Sequence, residues 1–549
     1  MNPTCYVCKY TPTELLSAYG GQPLLLDQAP ENFERSDQVA HPNLCGFGKS
    51  IIQAVLTGQV KELVLVNCCD SIRSVYDVLK ESGQLDFLYM LDLLHHQDGC
   101  SVDHAKGQLL ALAEAYGQYK GTTFDKAAFF AAFAGQGRPK GPYIAVLGAH
   151  MGKELFSMTQ SLMPLPAENG TCANNRNPAA PEDAGDFDAL MEGYARSLLG
   201  QLPCMRMADT AARKTLYNDP SLAGVVYHTI KFCDYYGFEY AGLKDQLSVP
   251  LLKLESDGTR QSQEQLRTRL EAFAEGLQPP DSAGEEKRAP SGRGYFAGID
   301  SGSTTTDVVI LDQDKQVLAK VILPTGAGAT GGAARALDQA LAQAGLKKSD
   351  LTATVTTGYG RSVIHGGDKS ITEITCHAKG AHFLNPAVRT VVDIGGQDSK
   401  VIRLDENGGV ANFVMNDKCA AGTGRFLEMM ARTLELSLEE ISTIGLSWKE
   451  DITISSMCTV FADSEVVSLV AQNKALPDIV HGLNRSVAAR AAALFRRVKG
   501  GPVCMMTGGV ARNAGVVSAL EEALGLPLFI HEDSQLCGAL GAALFALEM

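Results

Sequence analysis

Gly298–Asp312 reads GIDSGSTTTDVVILD. Apolar runs on both sides of a Gly/Ser/Thr cluster predict a strand, a tight turn and a second strand. Asp300 ends the first strand, and Gly302, Ser303, Thr304 and Thr305 form the turn. Such a turn presents backbone N–H groups and hydroxyls to phosphate oxygens. The adjacent carboxylate suits Mg2+ held through water, because Mg2+ takes few carboxylates and fills its shell with water and phosphate. VVDIGGQDSKVI, residues 391–402, repeats the design with Asp393, Gly395, Gly396 and Gln397. Asp393 and Gln397 are the catalytic candidates, Gln397 as the group that orients an attacking water. MTGGVARNAG, residues 506–515, adds Gly508 and Gly509 at a strand-to-helix turn where a nucleotide can approach the backbone.

GLQPPDSAGEEKRAPSGRG, residues 276–294, is rich in Pro, Gly, Ser and charge and has no apolar period. It reads as a flexible linker between a module at 1–275 and one at 295–549. In the first module, ELVLVNCCD, PYIAVLGAH and AGVVYHTIKFCD read as buried strands and SIRSVYDVLKES as a helix. Short apolar runs alternating with helical patterns predict an α/β fold of doubly wound, Rossmann-like layers on parallel sheets. No tandem repeat is visible. The 549 residues carry a net charge of −14, which argues against nucleic-acid and anionic-membrane partners. No apolar run reaches the roughly 18 residues of a membrane span, and MNPTCYVCKYTPTELL lacks a signal pattern; the expectation is a cytoplasmic protein.

The chain has 14 cysteines, nine before residue 240 and five after residue 375. In a protein without an export signal that number favours metal or redox chemistry. Cys376, Cys504 and Cys537 lie in apolar settings and are expected to pack as small hydrophobes. Cys419, in NDKCAAGTGRFLE, and Cys458, in SSMCTVFADSEVVSLV, each precede a helix, where N–H groups stabilise anions and lower a thiol pKa. A cubane needs four thiolates. Two per chain suffice when two chains share one cluster across a two-fold axis, so a homodimer with one bridging [4Fe–4S] cluster is expected. Cys100 lies among His95, His96, Asp98, Asp103 and His104, read as a solvated polar loop.

The three glycine-turn segments together resemble the actin, sugar-kinase and heat-shock ATPase superfamily over 295–549. The resemblance implies two ribonuclease-H-like lobes with Mg-ATP in the cleft. NDKCAAGTGRFLE and MCTVFADSEV resemble the activator ATPases of 2-hydroxyacyl-CoA dehydratases and benzoyl-CoA reductases, the BadF/BadG/BcrA/BcrD type. This implies Cys419 and Cys458 as cluster ligands and Asp300, Asp393 and Gln397 around Mg-ATP. It also implies electron transfer driven by ATP, with ferredoxin or flavodoxin as donor. CKYTPTELLSAYG, LCGFGKSIIQAVLTG, LVNCCDSIRSVYDVL, NGTCANNRN, LPCMRM and IKFCDYYGFEYAGLK resemble the partner subunit of the dehydratases and reductases. They carry Cys8, Cys45, Cys69, Cys172, Cys204 and Cys233, with Cys5 an alternative to Cys8 and Cys68 to Cys69. Six such cysteines match the relatives called double-cubane cluster proteins, which reduce small molecules. A single cubane on three of them, as in a 2-hydroxyacyl-CoA dehydratase, is the alternative, and a sugar-kinase-like phosphotransferase is an alternative of another class. Arg176, Arg206, His228, Lys231 and Glu14 are the further polar groups near these cysteines in sequence.

Overall fold

The computed structural model describes residues 2–133, 141–260, 263–277, 294–326, 329–364, 366–416, 420–455 and 459–549. The chain divides into two compact units, Met1–Leu277 and Gln278–Met549. Of the linker expected at 276–294, residues 278–293 lie outside the described residues, while Gly276 and Leu277 complete the helix Gln263–Leu277.

The first unit holds two parallel four-stranded sheets. One is built from β1 (Thr4–Tyr6), β2 (Pro23–Leu25), β3 (Glu62–Val66) and β4 (Phe87–Leu91) in the order β2-β1-β3-β4. The other uses β5 (Tyr143–Gly148), β6 (Ala167–Asn169), β7 (Leu222–Ile230) and β8 (Leu251–Ser256) in the order β6-β5-β7-β8. All five residues of β3 are buried, as a parallel strand covered on both faces requires. Helices Gly46–Leu56 and Asp70–Ser82 cover one face of the first sheet through Ile51, Ile52, Val75 and Leu79. Helices Gly99–Lys120 and Phe187–Leu199 cover the other through Leu109, Tyr116 and Tyr194. The doubly wound expectation holds. The helix Asp70–Ser82 buries Ile72, Val75 and Leu79 at helical spacing, each contributing about 1.5–3 kcal/mol, and Gly83 ends it at φ 61°.

In the second unit, β9 (Tyr295–Ser301), β10 (Thr305–Asp312), β11 (Val317–Pro324), β12 (Leu351–Thr357) and β13 (Lys369–Ser370) run in the order β11-β10-β9-β12-β13. A second sheet of β14 (Thr390–Ile394), β15 (Ser399–Leu404), β16 (Val410–Asn416), β17 (Cys504–Thr507) and β18 (Leu528–Phe529) runs β16-β15-β14-β17-β18. In both, three antiparallel strands are extended by two parallel ones. The unit is therefore one topology used twice, the two-lobed ribonuclease-H-like arrangement. The strand order carries this repeat, which no sequence repeat announces. Helices Glu373–Leu384 and Cys537–Leu547 cross at backbone contact: a Cβ on Gly541 would lie 1.9 Å from the Cys376 carbonyl oxygen. Cys376, Cys504 and Cys537 are fully buried, as expected of packing residues.

Candidate functional site

The β9–β10 and β14–β15 turns face each other. A Cβ on Gly396 would lie 2.1 Å from Thr304 Oγ1 and 3.6 Å from Ser303 Oγ, so only glycine lets the turns approach this closely. Gly302 N–H donates to the Thr305 carbonyl at 2.9 Å and closes the first turn. Thr304 Oγ1 is buried and unpartnered. Gln397 is exposed at the tip of the second turn. The other two glycines differ from each other. Gly508, at φ 82°, packs on Asp393 and Ile394, whereas a Cβ at Gly509 would meet open space.

Behind the turns lies a buried charge network that sequence reading missed. Lys400 Nζ stands 2.8 Å from Asp398 Oδ2, 3.1 Å from Asp393 Oδ2 and 3.4 Å from Glu373 Oε1. His377 lies between the two aspartates, Nε2 3.8 Å from Asp300 and Nδ1 3.5 Å from Asp393. Thr507 Oγ1 donates to Asp393 Oδ1 at 2.9 Å. Burial alone would raise Asp393, but His377, the Lys400 ammonium and the Thr507 hydroxyl outweigh it and hold the carboxyl at about 2. Asp300 is pushed well above the carboxylate range by burial, with Asp307, Glu373 and Asp393 adding to the rise against Lys400. The two aspartates thus differ in charge demand. Asp393 is an anion already paired, and Asp300 is a carboxyl that a cation would ionise.

Asp307 lies opposite Asp300 in the β9–β10 register, with Oδ1 buried and unpartnered. Burial raises it to about 7 against the Thr305 hydroxyl. A raised folded value gives stability that is complete below the ordinary value of 3.8 and lost as pH rises through 7. The second unit's thermal midpoint should therefore fall by roughly 5 °C between pH 5.5 and 8.5. Asp307→Asn should flatten that slope; an unchanged slope in differential scanning calorimetry would count against the assignment.

The helix Gly424–Thr433 starts against the second turn. Gly424 N–H donates to the Gly395 carbonyl at 2.8 Å and Arg425 N–H to the Gly396 carbonyl at 2.9 Å. Two donors that a helix start leaves orphaned are satisfied by the glycine turn itself. Cys419 lies five residues before this helix, and Cys458 immediately before the helix Thr459–Ala471; both cysteines lie outside the described residues.

In the first unit, cysteines from remote parts of the sequence meet where the parallel strands end, the edge at which open parallel sheets bind ligands. Cys8, Cys68 and Cys69, Cys172 and Cys233 follow β1, β3, β6 and β7. Cys45, Cys69 and Cys233 are N-cap residues, and Cys45 Sγ accepts from Gly48 N–H at 3.4 Å. Burial, then Cys204, Cys8 and Cys233 among its neighbours, raises Cys172 well above the thiol range. Burial, then Cys45 and Cys69, pushes Cys233 up to about 12. Cys68 hydrogen-bonds to both Cys8 and Cys69 and lowers each of them, Cys69 to about 7 with help from Ile72 N–H and Arg206. The six expected cysteines therefore form two neighbouring sets, Cys8/Cys172/Cys204 and Cys45/Cys69/Cys233, with Cys68 between Cys8 and Cys69. Cys5 packs into the apolar core on the other face of β1, with Glu62 as its charged neighbour.

Lys9 is 1% exposed, donates to the Leu202 carbonyl at 2.6 Å and faces Cys204, Cys172 and Cys8. Its strongest charged neighbours are these thiols and Arg213, with no carboxylate among them. A buried ammonium ringed by neutral thiols is costly; ringed by thiolates it is paired. The donor set fits an anionic iron–sulfur cluster. No three of the described side chains converge as ligands of a single ion. A cubane spreads its thiolates over several irons, so such convergence is not what it demands. Of the other polar candidates, Arg206 stacks on Tyr235 beside Cys69, Arg176 is engaged by Glu14, His228 bonds within the second sheet and Lys231 is exposed. The stretch around Cys100 is solvated, and it is a loop only through His95 and His96: Asp98 caps the helix Gly99–Lys120 by accepting from Ser101 N–H at 2.9 Å, and Cys100, Asp103 and His104 lie on that helix.

The model of the BadF/BadG/BcrA/BcrD ATPase family matches residues 297–546. Over 254 residues the chain is 49% identical to the activator of lactoyl-CoA dehydratase of Anaerotignum propionicum, covering 46% of this chain and 98% of that one. The chain belongs to the BadF/BadG/BcrA/BcrD ATPase family. It is also 48% identical over 255 residues to the (R)-2-hydroxyglutaryl-CoA dehydratase activating ATPase of Acidaminococcus fermentans, covering 46% and 97% of the two chains. A benzoyl-CoA reductase component of Thauera aromatica is 37% identical over 212 residues, covering 37% and 74%. The model of the 2-hydroxyglutaryl-CoA dehydratase D-component matches residues 8–138 and 134–277. The chain thus joins an ATPase of this family to a dehydratase-component-like half. No described helix is long and apolar enough to cross a membrane.

Proposed function

We propose that this chain is an iron–sulfur oxidoreductase that couples ATP hydrolysis in residues 295–549 to low-potential electron delivery onto residues 1–275, where a small molecule is reduced. The observation that carries the reading is the pair of hydrogen bonds from Gly424 and Arg425 to the Gly395–Gly396 turn. It ties the turn that would meet the phosphates to the helix that follows Cys419. Asp300 and Asp393 hold hydrated Mg2+; Gly302 to Thr305 and Gly395–Gly396 cradle the phosphates of ATP; Gln397 orients the attacking water; Gly508 and Gly509 admit the nucleoside. Cys419 and Cys458 of two chains hold one [4Fe–4S] cluster across a homodimer axis, and ferredoxin or flavodoxin supplies the electron. Cys8, Cys172 and Cys204 with Cys45, Cys69 and Cys233 hold a double-cubane cluster, which supplies low-potential electrons when bound. Lys9 compensates its negative charge. The protein acts in the cytoplasm.

Gly424→Pro tests the coupling. Proline is accepted at the first helical position but has no N–H to donate, so the helix starts while its tie to Gly395 is cut. The variant should hydrolyse ATP yet deliver at least about tenfold fewer electrons per ATP, since a displaced positioning contact costs on the order of a hundredfold. An unchanged ratio would overturn the reading. A second reading, in which the first unit dehydrates a 2-hydroxyacyl-CoA, is favoured by the dehydratase-component match. A CoA-thioester dehydration assay separates the two.

A further inference from the structure

The first unit contains a cavity of about 50 Å3 that the cluster ligands do not line. Its wall includes Asp27, Phe47, His150, His228, Ile230 and Ser256. It adjoins one cysteine set: Phe47 is two residues beyond the N-cap Cys45, and Cys233 N–H donates to the Ile230 carbonyl at 2.9 Å. His150 is 6% exposed and stacks on Phe47 with ring centres 4.1 Å apart, and its Nδ1 is buried without a hydrogen-bond partner. His228 is different. Its Nδ1 faces the Ala149 carbonyl at 3.2 Å, which can only accept, so Nδ1 carries the proton. Nε2 then accepts from the Ser256 hydroxyl at 2.9 Å. His228 is satisfied and His150 is not. A buried polar atom without a partner, on the wall of a cavity, is a place for a ligand.

Volume and charge define that ligand. A water molecule needs at least about 10–15 Å3 of such space, so the cavity holds roughly four non-hydrogen atoms. Burial keeps both imidazoles neutral, and Asp27 is the one carboxyl on the described wall, raised by burial against the Lys153 charge beyond it; no lysine or arginine is among the described lining residues. An anion therefore finds no cationic side chain on the described wall and a carboxyl instead, while an amide or amine finds acceptors and donors. We propose that this cavity is a binding site for a small uncharged or cationic hydrogen-bonding molecule of about four non-hydrogen atoms, anchored by His150. The binding itself stands on the cavity alone. Its role as the place where the electron is used rests on the proposed function above.

Saturation-transfer NMR on the anaerobically purified full chain tests this, with acetamide, isosteric acetate and the larger hexanamide as probes. Acetamide should receive saturation, with millimolar affinity; acetate and hexanamide should not. His150→Phe keeps the ring stacked on Phe47 while deleting the nitrogen, and should remove the acetamide signal. Asp27→Asn, as a second variant, should admit acetate and keep acetamide. Equal saturation by acetate and acetamide in the native chain, or an acetamide signal that survives His150→Phe, would overturn the proposal. Iron is assayed in the same samples. Acetamide binding without iron would leave this site standing and remove the cluster reading; iron without acetamide binding would do the reverse.

Discussion

A Lys400→Met chain is expected to lose its ATP turnover and about 3–5 kcal/mol of the second unit's stability, because breaking a buried ion network from one side leaves the opposite charges uncompensated. Lys400 has Asp393, Asp398 and Glu373 within 3.4 Å, and all four groups are at least nine-tenths buried. Methionine fills the volume of the lysine stem, so the loss is one of charge and not of packing. Without the ammonium Asp393 rises from about 2. The deficit should therefore be largest at neutral pH and shrink as the carboxyls protonate on acidification. Glu373→Gln in the same chain should restore part of the stability by removing one of the stranded charges. Calorimetry of the two variants at pH 5 and 8 reads this directly. A Lys400→Met chain within about 1 kcal/mol of the native one would show that the network does not hold the turns.

The second large effect is expected from Cys419→Ser. A hydroxyl is a poor substitute for thiolate on iron, so the bridging cluster should be lost and iron should fall by about two per chain. ATP hydrolysis should persist, because the glycine turns and the Lys400 network remain whole. ATP-dependent electron delivery should disappear. A variant that keeps both its iron and full ATP-dependent reduction would place the electron-carrying group elsewhere.

How much of this was legible beforehand follows from how local each signal is. The glycine turns were legible because a strand, a turn of Gly, Ser and Thr and a second strand are specified by adjacent residues. Asp300, Asp393 and Gly396 stand where that reading put them. Lys400 was not legible. In SKVIRL it looks like any polar residue of an alternating strand, and only the β14–β15 register sets it opposite Asp393. His377 and Glu373 sit on one helix whose pattern carries no mark of the site. The two lobes were expected from the resemblance and from the second glycine turn, but that both sheets share one topology resides in strand order, which no tandem sequence repeat marks. In the first unit, the number of cysteines announced a centre, but their grouping did not follow from spacing. Cys8 and Cys204 are 196 residues apart and become neighbours only because a strand end and a distant turn meet. Cys68, set between Cys8 and Cys69, was legible only as a substitute for one of them. His95 to His104 was legible as a solvated polar stretch, but the helix that begins inside it at Gly99 was not, because the capping role of Asp98 does not show in the sequence.

The measurement that tests the central claim most directly is iron and acid-labile sulfide per chain in anaerobically purified protein, read with EPR after dithionite reduction. A double cubane in the first unit and half of a shared cubane in the second predict about ten irons per chain. About six would mean a single cubane in the first unit and contradict the double-cubane reading. About two would leave the first unit without a cluster and contradict the reductase account altogether.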